Sequence, residues 1–463
     1  MITIFCDVIR VNVMKKFVAV FGLMLGLSAT VQADRATDVI NAIQQWNAPL
    51  SSVDRQGKYC RMAESAFTFY RGSNHLFWQD FSNDPRLNQF SSSRTVAWLQ
   101  GDLHANNYGA FDDDKGTVVY ELNDFDESVL ANYQYDIWRM AASILLIARE
   151  NGGFSNGDQE IFVDAFTENY LDTIADVRGN SSETSITLNA SNTYGLLDDF
   201  LRDVEQSQSR VKMLDQWTNL SSSSRIFDLT DERLSSVSST TRNAIINQMS
   251  HYGNTLSGAL SYNTSYFRVK DIAQRKLAGI GSFGTPRFYV LIEGPTNSAS
   301  DDRILDVKLQ QSPTPYRFLG TSFQSQYNSQ FINHASRHAI AFNALTRRTD
   351  DHVGWMSFNG GTYSVRERTA FRETFDTSDL TSQTRMINLA EQWGAALAYA
   401  HARSDRDGNA NFINYSFDTE VDNLTDGSHS EFRALVRSIA FNYAELVASD
   451  YATFLSVFPS NCN

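Results

Sequence analysis

Residues 100–127 constrain this chain more than any other stretch, because acidic and amide side chains there surround two short extended segments. Asp102 is followed by Asn107, then by a polar turn with the sequence DDDKG, an apolar run and Asp124. Two extended segments joined by a polar turn form a hairpin, which would bring these three side chains to one end. Carboxylate and amide oxygens are the ligands that Mg²⁺ prefers, and phosphoryl transfer uses such a set. Turns also collect Asp and Asn for backbone reasons alone, which is the alternative explanation.

The order of these residues resembles the catalytic loop and metal-binding strand of the protein-kinase-like superfamily, especially its aminoglycoside-phosphotransferase branch. The shared pattern is GDLHxxN, then an apolar strand, then DFD. The resemblance implies that Asp102 is the catalytic base and that Asn107 and Asp124 bind the metal. Asp126 is a further candidate, as a ligand of a second metal ion. Two residues depart from the pattern. Gln100 stands where that branch usually has His, and Asp126 replaces the Gly of a DFG triplet.

A second candidate motif lies well downstream, where Gly279, Gly281 and Gly284 form a G-x-G-x-x-G run. A dinucleotide-binding fold would need a helix directly after the glycines, whereas a strand-like segment follows here. Glycines between two strands, with Lys308 on the next strand, suit a hairpin that covers the phosphates of a nucleotide. The helix predicted at residues 333–347 has no obvious Glu to pair with this lysine.

The order of the two motifs predicts an unusual chain topology. In ordinary kinases the glycine loop and its lysine precede the catalytic loop, whereas here they follow it. Either the glycines are a coincidence or the chain is a circular permutant, which is tolerated when the original ends lie close together. The resemblance then implies an α+β, bilobal, kinase-like fold. A small antiparallel β lobe (266–370) is inserted between two parts of a mainly helical large lobe (34–265, with the catalytic and metal-binding loops, and 371–463).

The chain is also identified as a member of a bacterial family known as domain of unknown function 2252. The motifs that carry this resemblance occur in the same order and span nearly all of the chain after residue 33: RMAESAFTFYRG, GDLHANNYGAF, ELNDFDES, GIGSFGTPRFYVLIEG, the VK of DVKLQ, and LAYAHARSD. This resemblance implies a shared fold rather than an activity. His401 in the last motif is more typical of a structural residue at a helix end than of a site residue.

Two other stretches are predicted to be structural. The stretch 58–81 is rich in aromatic residues and includes Arg61 and Arg71, and a packed core covered by arginine stems explains it better than a stacking surface. Residues 157–260 are predicted to be mainly helical and show no recognisable chemistry.

The first 33 residues have the pattern of a secretory signal peptide, with Lys15 and Lys16, an apolar run at 17–27 and the sequence VQA up to Ala33. We therefore expect a periplasmic or secreted protein. The apolar run is short of the roughly 20 residues that span a bilayer, and no later segment is long enough, so no membrane span is expected. The net charge of −14 argues against nucleic acid and anionic membranes as partners.

Cysteine content fits export. Cys6 lies in the predicted leader, which leaves Cys60 and Cys462. These two residues either form a disulfide, as is common in exported proteins, or are two unpaired buried thiols.

The sequence therefore predicts a metal-dependent phosphotransferase that uses ATP with Mg²⁺ or Mn²⁺. The acceptor would be a hydroxyl group of a small polar metabolite, a glycan or a protein side chain. A pseudokinase that binds a nucleotide or metal and acts as an interaction module of the cell envelope is the alternative. It is favoured by the scarcity of ATP outside the cytoplasm and by the missing helix Glu. Nucleotidyl transfer at the same site is a third hypothesis.

Overall fold

The computed structural model describes residues 34–258, 260–347, 350–458 and 462, and the predicted signal peptide lies outside these residues. The α-helices, in chain order, are α1 (34–47), α2 (Ser52–Met62), α3 (Ala66–Gly72), α4 (Asn74–Phe81), α5 (Gln134–Asn151), α6 (Asn156–Val177), α7 (Leu196–Ser207), α8 (Arg210–Trp217), α9 (Ser239–Gly253), α10 (Gly320–Gln330), α11 (His334–Leu345), α12 (Gln383–Arg403), α13 (Arg406–Asn409), α14 (Phe417–Thr425) and α15 (His429–Val457).

The strands are short and pair in antiparallel fashion. They are β1 (Val96–Leu99), β2 (Tyr108–Asp112), β3 (Val118–Leu122), β4 (Val129–Asn132), β5 (Thr218–Ser221), β6 (Ser224–Phe227), β7 (Leu234–Ser236), β8 (Val269–Arg275), β9 (Arg287–Ile292), β10 (Arg303–Leu309), β11 (Gly354–Phe358) and β12 (Gly361–Glu367). Short 3₁₀ helices cover Pro85–Asn88, Ala105–Asn107, Ser182–Thr184, Thr314–Arg317 and Thr377–Asp379. The predicted combination of helices with a small antiparallel sheet is confirmed.

A helical core forms around α5, which is buried along nearly its whole length because apolar residues surround it on most sides. The helix α12 packs along α6, and α15 lies against both α5 and α6. Gly394 permits the closest of these approaches, since a Cβ atom there would lie 2.3 Å from the carbonyl oxygen of Phe166. No helix in the described part of the chain is long and apolar enough to cross a membrane.

A six-stranded antiparallel sheet forms a separate layer, with the strand order β11-β12-β10-β9-β8-β7. Its own apolar cluster includes Val290, Leu305 and Val307 from the sheet and Ile245 from α9. The glycine run connects β8 to β9, and Lys308 lies on β10, the next strand. The sheet extends beyond the predicted boundary at residue 266, because β7 pairs with β8 and α9 packs on β11. The sequence of β7, LSS, carries no strand signal of its own.

The predicted hairpin in residues 100–127 is present. Strands β2 and β3 pair with Tyr108 opposite Leu122, so Asn107 before β2 and Asp124 after β3 lie at the same end. The backbone N–H of Asn123 donates to the carbonyl oxygen of Asn107 at 3.0 Å, which closes this end of the hairpin. The strands β1 and β4 form a second pair beside it.

Distant parts of the chain are joined at the helical layer. Cys60 in α2 and Cys462 form a disulfide, with Cα atoms 5.3 Å apart, so the alternative of two unpaired thiols is excluded. Arg35 in α1 makes ion pairs of 2.6 Å with Asp80 of α4 and with Asp450 of α15. Residues at either end of the described chain are therefore held together by a covalent bond and by charge.

Candidate functional site

A cavity of about 370 Å³ lies between the glycine turn that follows β8 and the closed end of the β2–β3 hairpin. Nearly all of the site residues predicted from the sequence line it: Asp102, Asn107, Asp124, Asp126, Gly279, Gly281 and Gly284. Lys308 does not line the cavity itself, but it forms an ion pair with Asp126, which does. The structure thus brings together two motifs that are far apart in the sequence.

Gln100 connects the two acidic segments. Its side-chain oxygen accepts a hydrogen bond of 2.8 Å from the backbone N–H of Asp102. Its side-chain nitrogen donates a hydrogen bond of 2.6 Å to the carbonyl oxygen of Asp124. Because the amide has both a donor and an acceptor, it fixes the two acids relative to each other. This contact gives Gln100 a defined structural role at the position where the resemblance leads one to expect His.

Asp136, near the start of α5, holds the backbone of the same loop. Its carboxylate accepts hydrogen bonds from the N–H groups of Gln100 (2.6 Å) and Gly101 (3.0 Å). Behind it lies His401, whose Nε2 is 3.4 Å from Asp136 and whose Nδ1 is 2.9 Å from the hydroxyl of Tyr170. His401 is fully buried and does not line the cavity, so it supports the site from behind.

Asp102 is held by Arg139 of α5, whose Nε donates to Oδ1 at 2.9 Å. The other oxygen, Oδ2, faces the glycine turn, since a Cβ atom built on Gly281 would lie 3.9 Å from it. Desolvation raises the pKa of Asp102 to about 7, although the charge of Arg139 opposes this shift. A carboxylate with this pKa changes protonation near neutral pH, as a general base does.

Asn107 and Asp124 each have a side-chain oxygen that is suited to bind a metal ion. The amide nitrogen of Asn107 donates to the carbonyl oxygen of Asp102 at 3.0 Å, which leaves its amide oxygen for the cavity. One oxygen of Asp124 accepts a hydrogen bond of 3.3 Å from the backbone N–H of Asp126. An amide oxygen and a carboxylate suit a hard divalent cation such as Mg²⁺, which usually completes its shell with water and phosphate oxygens.

The contacts of Asp126 differ from those expected of a free metal ligand. One oxygen forms an ion pair with Lys308, and the other accepts a hydrogen bond of 2.8 Å from Gln310. Although burial would raise its pKa, the positive charge of Lys308 holds the pKa of Asp126 below its usual value. Asp126 is therefore the acidic partner of Lys308 on β10. The sequence had shown no Glu on the helix at residues 333–347 that could pair with this lysine.

The helix α11 contributes a cation instead of an acid. Arg337 is fully buried and donates to the carbonyl oxygens of Phe125 (2.6 Å) and Asp126 (2.8 Å). The adjacent His338 lies 3.6 Å from Asp126, and burial lowers its pKa to about 3, so it is neutral at physiological pH. The helix thus fixes the DFD segment through its backbone.

Sequence reasoning missed three basic residues of the cavity wall: Arg317, and two residues of the stretch 58–81, Lys58 in α2 and Arg71 in α3. The prediction of a packed aromatic core for this stretch is confirmed, but these two side chains lie at its edge and face the cavity. Lys58 is only 3% exposed, and burial lowers its pKa to about 8 despite the charges of Asp102 and Glu127. Burial also lowers the pKa of Arg71. The only signal in the sequence was the presence of basic residues among aromatic ones.

The glycine turn covers the cavity. Gly279 and Gly284 have φ values of +70° and +77°, a conformation that residues with a Cβ rarely adopt. Arg61 of α2 donates to the carbonyl oxygen of Gly279 at 3.3 Å, so the turn is tied to the helical layer. Gly281 lies directly above Asp102, where the absence of a side chain leaves room for a ligand.

A family model with the description "Uncharacterized protein conserved in bacteria (DUF2252)" matches residues 54–457. The matched range contains every candidate site residue described above. No curated protein and no solved structure matched the chain.

Proposed function

We propose that this chain, which belongs to the bacterial family DUF2252, is a metal-dependent phosphotransferase that uses ATP. The observation that carries the proposal is the meeting of two distant motifs at one cavity. Lys308 and Asp126 are 182 positions apart in the sequence, yet they form an ion pair at the wall that Asp124 also lines. An acidic hairpin with no function in phosphate chemistry would have no need of a glycine turn and a lysine opposite it.

The arrangement of the sheet supports a kinase-like lobe. The glycine turn joins two neighbouring strands, β8 and β9, and the lysine lies on the third, β10. The second α-helix after β10, α11, contacts the DFD segment. Kinases have a glycine-rich loop over the phosphates and a lysine on the third strand. In this chain the lobe follows the catalytic loop, so we infer a circular permutation.

Asn107 and Asp124 would hold the cation, which is Mg²⁺ or Mn²⁺ in this proposal. When bound, the cation supplies positive charge that neutralises the phosphate oxygens. The backbone of the glycine turn would cover the phosphates, and Lys308, fixed by Asp126, would contact them from the side of the sheet. Asp102 would orient the acceptor hydroxyl and accept its proton, while Arg139 keeps the carboxylate in place.

The disulfide supports an exported protein, since such bonds persist in oxidising compartments. Together with the pattern of residues 1–33, it favours a periplasmic or secreted location. ATP is scarce there, which favours the second candidate, a pseudokinase that binds a nucleotide or metal as an interaction module. The pairing of Lys308 with Asp126 is consistent with both candidates, because it positions the lysine whether or not transfer follows.

ATP labelled at the α or γ position, with Mg²⁺ or Mn²⁺, tests these candidates. Transfer of the γ label to an acceptor or to water would support the phosphotransferase, and transfer of the α label would indicate nucleotidyl transfer. A nucleotide-dependent thermal shift without transfer of either label would indicate the pseudokinase. Absence of any shift with nucleotide and metal would refute all three hypotheses.

Variants of the acids separate binding from chemistry. Asp102→Asn should retain nucleotide binding and lose transfer, because the base acts on the acceptor. Asp124→Asn should weaken metal-dependent nucleotide binding as well. Asp114→Asn is the matched control, since Asp114 lies exposed in the turn of the same hairpin. Equal loss in this control would contradict the assignment.

A further inference from the structure

A second group of acids lies outside the cavity, where three segments of the helical layer meet. Glu183 belongs to the short 3₁₀ helix Ser182–Thr184 that follows α6, Asp405 follows α12, and Asp407 lies in α13. One carboxylate oxygen from each residue lies within 4.8 Å of those of the other two. None of the residues that line the cavity belongs to this group.

Two of these acids are buried without a charged partner, although both oxygens of Asp405 accept hydrogen bonds from backbone N–H groups, those of Asp407 (2.8 Å) and Phe417 (2.9 Å). Glu183 and Asp405 are each 1% exposed, and Oε2 of Glu183 has no hydrogen-bond partner. In the described part of the chain, no basic side chain forms an ion pair with either of them. Arg403 lies close by, but its guanidinium donates to the carbonyl oxygens of Glu183, Ile186 and Leu345.

A further acid adds to the negative charge. Asp418, which is 2% exposed, raises the pKa of both Glu183 and Asp405 through its charge, in addition to the larger effect of burial. Buried carboxylates are strongly unfavourable unless a cation or hydrogen bonds compensate them. The unpartnered oxygen of Glu183 points to a missing positive charge at this place.

The donor atoms favour a hard cation. The group contains only oxygen ligands, with no sulfur or nitrogen. Asp405 is the N-cap of α13 and Asp407 lies in its first turn, so these two carboxylates are close neighbours at the start of this short helix. Ca²⁺ accepts irregular sets of carboxylate, amide, carbonyl and water oxygens. Asp407 is exposed, so the site is open to water on one side.

We propose that Glu183, Asp405 and Asp407 form a binding site for a divalent cation of the calcium type. The cation joins the segment after α6 to the segment after α12. It also reaches α14, because Asp405 accepts a hydrogen bond of 2.9 Å from the backbone N–H of Phe417 at the start of that helix. The site is structural and independent of the proposed phosphotransfer.

Calcium binding to the purified full chain after treatment with a chelator tests this proposal. We expect CaCl₂ to raise the melting temperature and one equivalent of Ca²⁺ to be retained at this site. Glu183→Gln should weaken binding at least tenfold. Asp407→Asn should act in the same direction, and because Asp407 is exposed, this variant keeps the proposal testable if Glu183→Gln does not fold.

Two controls identify the site that responds. Asp172→Asn alters a second group, Glu168, Asp172 and His429, whose ligand atoms are equally close together but include a histidine nitrogen, and it should leave the calcium response unchanged. Asp124→Asn removes a ligand from the cavity, so any calcium held there is lost in this variant, whereas the response that comes from Glu183, Asp405 and Asp407 should remain. Loss of the response in Asp124→Asn alone would assign the calcium to the cavity and overturn the proposal.

Protonation of one of these carboxylates is the alternative to a bound cation, because it also reduces the negative charge of the group. Burial raises the pKa of Glu183 to about 7 and that of Asp405 to about 6, so one of them would be protonated near neutral pH without a cation. In that case the melting temperature would depend on pH but not on CaCl₂ or chelator. Equal calcium binding by the wild type and by both site variants would likewise refute the site.

Discussion

Replacement of Lys58 by methionine should stabilise the fold while it weakens the binding of an anionic ligand such as ATP. Lys58 is buried, and no acid forms an ion pair with it in the described part of the chain. Lowering its pKa from 10.5 to about 8 corresponds to about 3 kcal/mol of unfavourable free energy for the charged form in the folded state. Methionine is apolar and of similar length, so it removes this cost and much of the packing is retained.

The sign of this effect depends on pH. Below pH 8 the folded protein carries the charged lysine, and the full cost lowers the free energy of unfolding. Between about pH 8 and 10.5 the folded protein has released the proton while the unfolded chain still holds it. This group therefore makes stability rise with pH across that window. The Lys58→Met variant should lack this rise and should gain about 1–3 kcal/mol at pH 7.

Urea unfolding at pH 7 and pH 9.5 measures the gain in stability of Lys58→Met at pH 7 and the loss of the rise in stability between the two pH values. Lys308→Met is the matched control, because it removes the partner of Asp126 and leaves that carboxylate uncompensated. We expect this control to lower the free energy of unfolding by about 1–3 kcal/mol, less than for a fully buried pair, since both side chains are partly exposed. If Lys58→Met lowers the urea midpoint as Lys308→Met does, the idea of an uncompensated lysine in the cavity wall is refuted.

Three other measurements test the site and the chain. The pH profile of kcat/KM should rise as Asp102 loses its proton near pH 7 and fall as Lys58 loses its proton near pH 8, and Lys58→Met should flatten the alkaline limb. Reduction of the Cys60–Cys462 disulfide should lower the urea midpoint, with a chain-entropy upper limit of about 6 kcal/mol, whereas Cys60→Ser should no longer respond to reductant. Mass spectrometry of exported protein should find a mature chain that begins at Asp34, and an intact leader on the soluble protein would contradict the predicted signal peptide.

The parts of the site that follow from local patterns were predictable. Alternating extended residues on either side of DDDKG are enough to specify the β2–β3 hairpin, and the hairpin brings Asn107 and Asp124 to one end. The meeting of this end with the glycine turn did not follow from periodicity. It came only from the resemblance to kinases, because no local rule fixes which strands of a distant sheet cover a cavity.

The parts that depend on tertiary packing were not predictable. Lys58 stands in an aromatic stretch, where the local pattern indicates a core and gives no reason to expect a buried cation. The pairing of Lys308 with Asp126, and the contact of Arg337 with the DFD backbone, depend on how α11 and β10 approach the hairpin. Glu183 lies in a stretch that showed no recognisable chemistry, because its acidic neighbours are more than 200 positions away.

The disulfide imposes an order in time on the maturation of this protein. Cys60 and Cys462 are 402 positions apart, so Cys60 remains an unpaired thiol until all the intervening residues have been synthesised. At about 5–20 residues per second this delay is about 20–80 s. A chain interrupted between the two cysteines keeps a reactive Cys60 thiol, and labelling of that thiol would report interrupted chains. The bond can therefore close only after the glycine turn and Lys308, which lie between the two cysteines, have been synthesised.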